Sequence, residues 1–175
     1  MDGENFQQSR PFRPEVFFLG RTEGWGVARG PTGRIQRRCR IITEGRLDEA
    51  YQAIHFDEVV VWEDGQTEEW RWAMTRGLNG VYVAAEALAG VGIQGCYDGE
   101  DYLLSFRRAV RPDGGPRPRF NTRFTPISPD VALKSVRITV FGVPVASMSA
   151  FHRRAAWPQC SRPERQKVCS SGSTR

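Results

Sequence analysis

Hydrophobic and polar residues alternate in short runs along most of the chain, and turns rich in glycine separate these runs. Such alternation is typical of β-strands, in which successive side chains point to opposite faces of a sheet. The clearest case is 66–75, which places Trp70, Trp72 and Met74 on one face and mostly polar residues on the other. Strands are predicted at 24–29, 34–43, 51–62, 66–75, 81–89, 102–110, 119–127, 131–141 and 145–151.

The links between these strands are mostly short, with Asp-Gly turns at 64–65 and 98–99. Helical periodicity is confined to 14–19 and an ambiguous stretch at 47–53. The pattern predicts an all-β fold of about eight to ten antiparallel strands. A closed barrel is favoured over an open sheet, because an open sheet of this length would leave exposed edges.

The predicted domain organisation is a single β-barrel at 14–153 with disordered termini. Residues 1–13 are polar and contain proline, which predicts a flexible segment, and 154–175 lack apolar periodicity and predict a disordered basic tail. Residues 151–175 hold six basic and one acidic side chain, which accounts for the whole net charge of +5 and leaves 19 of each sign in 1–150. A folded nucleic-acid module carries its excess charge on the domain itself, so no specific nucleic-acid partner is predicted.

Signals for targeting, metals and cofactors are weak. The first 15 residues have no basic segment followed by an apolar run, and no stretch approaches a transmembrane span, so the chain as it stands is expected to be cytoplasmic. The four cysteines lack the CxxC spacing of a zinc site. Gly24-Trp25-Gly26 lacks the third glycine of a dinucleotide loop and is interpreted as a close-packing feature. We predict no metal, cofactor or catalytic residue.

Three groups of side chains have alternative interpretations. His55 lies two residues from Asp57 and could serve as a base, although a half-buried or surface histidine is the simpler interpretation. The acidic cluster is interpreted as a solvated face rather than as a cation site. The basic cluster is interpreted as an outer face of the barrel that pairs with acidic neighbours rather than as a single-strand nucleic-acid site. The acidic cluster is Asp57, Glu58, Glu63, Asp64, Glu68 and Glu69; the basic cluster is Arg107, Arg108, Arg111, Arg117, Arg119 and Arg123.

Several short motifs occur in an order that resembles the bacterial family catalogued as domain of unknown function 3833, over about residues 15–153. They are Phe17-Phe18-x-Gly20, Gly24-Trp25-Gly26, Gly33-Arg34, Glu63-Asp64-Gly65 with Trp70 and Trp72, Gly80-x-Tyr82, Gly90-x-Gly92, Tyr102 and Phe141-Gly142. The resemblance implies a lipocalin-like, or calycin-like, barrel and, because many members are described as lipoproteins, an association with the cell envelope. It implies no activity. The chain departs from the family in lacking a leader with a lipidation cysteine and in having Lys134 where an asparagine is expected.

The barrel and its aromatic strands together predict a non-enzymatic binding module for a small apolar or amphipathic ligand. The predicted apolar walls are Trp25, Trp70, Trp72 and Tyr102, and the predicted partners for an anionic head group are Arg38 and Arg137. One alternative is an enzyme acting on a lipid-like substrate, with His55 as base and Asp57 or Glu58 beside it. In this alternative His152 lies at the edge of the domain and takes no part. Another alternative is a structural or protein-interaction barrel whose interior is filled by side chains.

Overall fold

The computed structural model describes residues 10–50, 52–77 and 81–155, which form ten β-strands and one short helix. The helix is α1 (Pro14–Phe17), and the strands are β1 (Gly20–Arg29), β2 (Ile35–Asp48), β3 (Ala53–Trp62), β4 (Thr67–Arg76), β5 (Tyr82–Glu86), β6 (Gly90–Asp98), β7 (Asp101–Arg107), β8 (Arg119–Ser128), β9 (Val131–Val140) and β10 (Val143–Arg154). No helix within these described ranges has the length and apolar character that a membrane span requires.

The strands form a closed antiparallel barrel in which every strand pairs with its neighbours in the sequence, and β1 pairs with β10 to close the sheet. The register at the closure places Gly24 opposite His152 and Val27 opposite Ser149. A closed sheet has no free edge, which is the physical reason for expecting closure in a meander of this length. The all-β barrel predicted from strand spacing is therefore confirmed.

Side chains alternate between the interior and the outer face as the sequence pattern predicted for β4. Trp72 and Met74 are buried and Trp70 is half-buried, whereas Glu69, Arg71 and Thr75 are exposed. The two glycines of the Gly24-Trp25-Gly26 motif face inward and allow close packing. A Cβ added at Gly24 would lie 2.7 Å from the carbonyl oxygen of Phe151, and one at Gly26 would lie 2.7 Å from the Cβ of Ala150.

One end of the barrel is closed by a plug, which we define as residues 12–18. Phe12, Phe17 and Phe18 are buried, and Phe18 stacks on Phe56 of β3 with ring centroids 4.5 Å apart. The plug is hydrogen-bonded to the β6–β7 hairpin, because the amide of Phe12 donates to the carbonyl of Glu100 at 2.9 Å and the Tyr97 hydroxyl donates to the carbonyl of Phe12 at 2.8 Å.

The plug changes the domain boundary that the sequence predicted. Residues 1–13 were expected to be flexible, but Phe12 is part of the core and stacks on Phe124 with ring centroids 5.0 Å apart and planes 7° apart. Phe12 is buried although its sequence neighbours are mostly polar, because its ring packs against the apolar side chains at the closed end of the barrel. Of the segments predicted to be disordered, 1–13 and 154–175, residues 1–9 and 156–175 lie outside the described residues.

Candidate functional site

A cavity of about 680 Å³ occupies the half of the barrel opposite the plug. Its walls reach the end of the barrel where β1 meets β2, β3 meets β4, β7 meets β8 and β9 meets β10, and we call this the open end. The volume lies within the range of small-molecule pockets in proteins, roughly 300–1,000 Å³. The lining is predominantly apolar and includes Phe56, Trp62, Trp70, Trp72, Phe106, Phe120 and Phe124.

The aromatic wall is built from inward positions of three strands. The rings of Trp70 and Trp72 on β4 are parallel within 3°, with centroids 6.4 Å apart. Phe106 of β7 meets Trp72 edge-on at 5.2 Å, and Phe120 of β8 meets Trp70 edge-on at 5.5 Å. The indole nitrogen of Trp70 is buried and has no hydrogen-bond partner among the described residues. The wall therefore combines a large apolar area with one free hydrogen-bond donor.

Arg108 covers the wall from the β7–β8 connection. Its guanidinium lies 3.7 Å from the ring centroid of Trp70, and its Nη2 donates to the carbonyl of Glu69 at 3.0 Å. Its Nε forms an ion pair with Oε2 of the buried Glu86 at 3.1 Å. Glu86 also accepts hydrogen bonds from the amides of Leu88 and Ala89. The interpretation of Arg108 as part of an outer face is wrong, because this residue is buried and lines the cavity, although it does pair with a carboxylate.

A second ion pair crosses the interior at the inner end of the cavity. Nζ of Lys134 on β9 donates to both carboxylate oxygens of Glu58 on β3, at 2.7 and 2.9 Å. The two side chains are only 13% and 4% exposed, and their strands are not neighbours in the barrel. Burial raises the pKa of Glu58, but Lys134 and then His152 and Arg108 more than offset this, so the pKa of Glu58 lies below its usual range. Glu58 is therefore a buried carboxylate held in its charged form.

The interpretation of Glu58 as a solvated acidic residue is also wrong. Phe56, Glu58 and Val60 share the inward face of β3, whereas Asp57 points to the outside. The alternation along β3 was the signal that could have placed Glu58 inside. Lys134, which stands where the family pattern has an asparagine, is the cation that pairs with this buried carboxylate.

His152 lies in a buried polar layer with Thr22 and Thr43. Both imidazole nitrogens and both threonine hydroxyls lack hydrogen-bond partners among the described residues. Burial, followed by the nearby Lys134, lowers the pKa of His152 to about 4, although Glu58 acts in the opposite direction. The expectation that His152 lies at the domain edge is wrong, because β10 continues to Arg154 and turns this side chain inward opposite Gly24.

The structure brings only some of the predicted ligand-binding residues to the cavity. Trp70 and Trp72 line it directly. Tyr102 is fully buried but lies nearer the plug, with its ring 5.6 Å from that of Tyr82 and 6.3 Å from that of Phe12. Tyr102 is thus a residue of the core around the closed end.

Three predicted site residues lie on the outer face, and their assignment to an interior site is corrected. Trp25 is 51% exposed, between the inward Gly24 and Gly26. Arg38 is exposed and forms an ion pair with Glu63 at 3.4 Å, and Arg137 is exposed on β9. In each case the neighbours one position away face inward, so the alternation of the strand directs these side chains to solvent.

His55 also points outward. Its side chain is 38% exposed, and its Nε2 lies 4.0 Å from Oδ2 of Asp48. Asp57, the proposed companion of His55, is exposed on the same outer face. Of the residues proposed as acid and base in the enzyme alternative, only Glu58 faces the cavity, and it is paired with Lys134.

The fold of the barrel is similar to that of the S-type phycobiliprotein lyase CPES from Guillardia theta. The two structures superpose with a TM-score of 0.60 at 10% sequence identity, over 83% of this chain and 94% of the other. At this identity the similarity concerns the fold alone.

The sequence comparisons give a family without an assigned function. No curated protein matches the chain. The family model described as "Protein of unknown function (DUF3833)" matches residues 1–154, which include every strand of the barrel and the plug. The chain therefore belongs to the DUF3833 family.

Proposed function

We propose that this barrel is a non-enzymatic binding protein for a small, mainly apolar ligand that carries one polar group. The observation that carries the proposal is the cavity of about 680 Å³, which has an aromatic wall and a charged pair at its inner end. A site with a large apolar surface and a few fixed polar groups is the usual form of a small-molecule site.

The charges of the cavity favour an amphipathic ligand over an ionic one. The two cations among the described lining residues are already paired, Lys134 with Glu58 and Arg108 with Glu86. The lining also includes two further carboxylates, Glu68 and Glu69, so it offers no unpaired cation to an anionic ligand. The buried indole N–H of Trp70, which has no partner among the described residues, would be satisfied by an acceptor group of the ligand. An alcohol or carbonyl group at one end of an apolar body would fit this arrangement, with the body lying against Trp70 and Trp72.

The two alternatives have less support. The enzyme alternative required His55 in the cavity, and this side chain lies on the outer face. The ligand-free structural barrel required an interior filled by side chains, and the cavity volume argues against that. The outer position of Trp25 and Arg137 removes them from the proposed site, which then consists of the aromatic wall, Arg108 and the Glu58–Lys134 pair.

The proposal is tested by titrating the protein with a dansyl-labelled fatty alcohol and exciting the tryptophans. Energy transfer to the dansyl group is expected. Ala28 lines the cavity near the open end, so Ala28→Phe should fill part of the cavity and weaken binding by about tenfold or more, the equivalent of about 1.4 kcal/mol.

The matched control is Val27→Phe, because Val27 is the preceding residue of the same strand and faces outward. It should bind the probe as the unaltered protein does. Absence of saturable energy transfer, or equal affinity in the two variants, would contradict a ligand site in the cavity.

A further inference from the structure

Exposed apolar side chains surround the open end of the barrel. They belong to four of its five hairpins, and we call them the apolar rim: Ile35, Val91, Val110, Phe141 and Val143. Phe141 lies in the β9–β10 turn and is 100% exposed, and Val91 at the start of β6 is 87% exposed. Single exposed apolar residues are ordinary, but a ring of them around the mouth of a cavity indicates an interaction surface.

The backbone conformation of Phe141 is one that asparagine or glycine adopts more readily than phenylalanine does. Its φ is 49° and that of Gly142 is 83°, so both residues lie in the left-handed region. Hairpin turns of this kind favour Asn-Gly, because asparagine tolerates the left-handed region better than an aromatic residue does. Folding therefore gains nothing from phenylalanine at this position, either from burial or from the turn.

Arginines accompany the apolar rim at the two hairpins that flank the β9–β10 turn in the barrel order. Arg34 follows the β1–β2 turn, and four more arginines flank or lie within the β7–β8 connection: Arg107, Arg111, Arg117 and Arg119. Within the described ranges, no carboxylate lies within 4 Å of the guanidinium groups of these five, whereas Arg37 and Arg38 near the β3–β4 turn are paired with Asp64 and Glu63. We call the five unpaired arginines the basic rim.

We propose that the open end docks onto an anionic lipid bilayer, with Phe141 and the apolar rim at the boundary of headgroups and acyl chains and the basic rim on lipid phosphates. Apolar insertion and electrostatic attraction together are what interfacial binding requires. Arginine matches phosphate well because its guanidinium offers several donors in one plane. This orientation turns the mouth of the cavity toward the lipid. The proposal concerns the surface and does not depend on the cavity binding a ligand.

The test is flotation of the full chain with vesicles of phosphatidylcholine, with and without phosphatidylglycerol. We expect binding to the anionic vesicles that weakens as salt is added. Phe141→Asn should weaken this binding by about tenfold or more, because burial of a phenylalanine side chain contributes more than a tenfold change in affinity. Its thermal stability should be equal or higher, since asparagine suits the turn.

Ile127→Asn is the matched control, because Ile127 is also an exposed apolar residue, at 54%, but lies near the closed end of β8. It should bind vesicles as the unaltered chain does. All variants retain the six basic residues of 151–175, so attraction by that segment is the same in each. If the rim docks onto a protein instead of a bilayer, the chain will not bind anionic vesicles, and that result would overturn the proposal. It is also overturned if Phe141→Asn binds them as well as Ile127→Asn does.

Discussion

Replacement of Lys134 by methionine is expected to lower the free energy of unfolding by about 3–5 kcal/mol, because removing one partner of a buried ion pair leaves an uncompensated buried charge. Lys134 donates to both oxygens of Glu58, and the carboxylate is almost completely buried. Urea denaturation followed by tryptophan fluorescence measures the change.

The pH dependence of this loss has a definite sign. In the unaltered protein the folded pKa of Glu58 is depressed, so its contribution to stability is present above the ordinary value of 4.5 and lost as pH falls. In Lys134→Met, burial without a cation raises that pKa, and stability is lost as pH rises. The difference in stability between the two proteins should therefore be largest at neutral pH and shrink toward pH 4.5.

Two control variants separate the buried charge from other effects of the substitution. Glu58→Gln combined with Lys134→Met removes both charges and should recover much of the loss. Arg40→Met breaks the exposed ion pair with Glu23 and should change the free energy of unfolding far less than Lys134→Met does. If Lys134→Met alone were as stable as the unaltered chain, the Glu58–Lys134 contact would not be a buried ion pair.

Truncation of Phe18 is expected to have an effect of similar size. Phe18→Ala should cost about 3–5 kcal/mol, the range for removing a buried phenylalanine from a core. Phe18 stacks on Phe56, meets Phe124 edge-on at 5.6 Å and covers the ring of His152 at 6.5 Å. The substitution would open the closed end of the barrel above the buried layer that contains His152. Urea denaturation measures the decrease in the free energy of unfolding.

The adjacent Leu19 supplies the comparison for this variant. Leu19 is 41% exposed, so Leu19→Ala should change stability by well under half as much. Equal effects of the two substitutions would mean that the plug does not seal the barrel through Phe18. The close approach at Gly45 supports the seal, since a Cβ there would lie 1.9 Å from the carbonyl oxygen of Phe18.

Nine of the ten strands and their closure into a barrel were predictable because they depend on local signals. The exception is β6 (Gly90–Asp98), which was missed because its three glycines at 90, 92 and 95 resemble a connection. Alternation placed Trp70, Trp72 and Met74 on one face of β4, and the structure puts that face inside. Turn residues marked most hairpins for the same reason, since the conformation of a turn depends on the residues within it. Phe12 was missed because its burial depends on a gap at the end of the closed barrel.

The interior of the site was less predictable because it depends on contacts between distant strands. Alternation along β1 places Trp25 on the outer face, because it lies between two inward glycines. An aromatic side chain alone does not indicate an interior position. The pairing of Glu58 with Lys134 joins strands that are not neighbours, so nothing local connects 58 with 134. The inward position of Arg108 likewise depends on the course of the β7–β8 connection and on the position of Glu86.

The central claim, a ligand site inside the barrel, is tested most directly by the indole N–H signals of a ¹⁵N-labelled protein titrated with dodecan-1-ol. Single Trp→Phe variants assign the signals. The signals of Trp70 and Trp72 should shift with saturation, Trp70 most because its indole nitrogen has no partner, while that of the outward Trp25 stays in place. Shifts of Trp25 with none at Trp70 and Trp72 would contradict the claim and place the ligand on the outer surface.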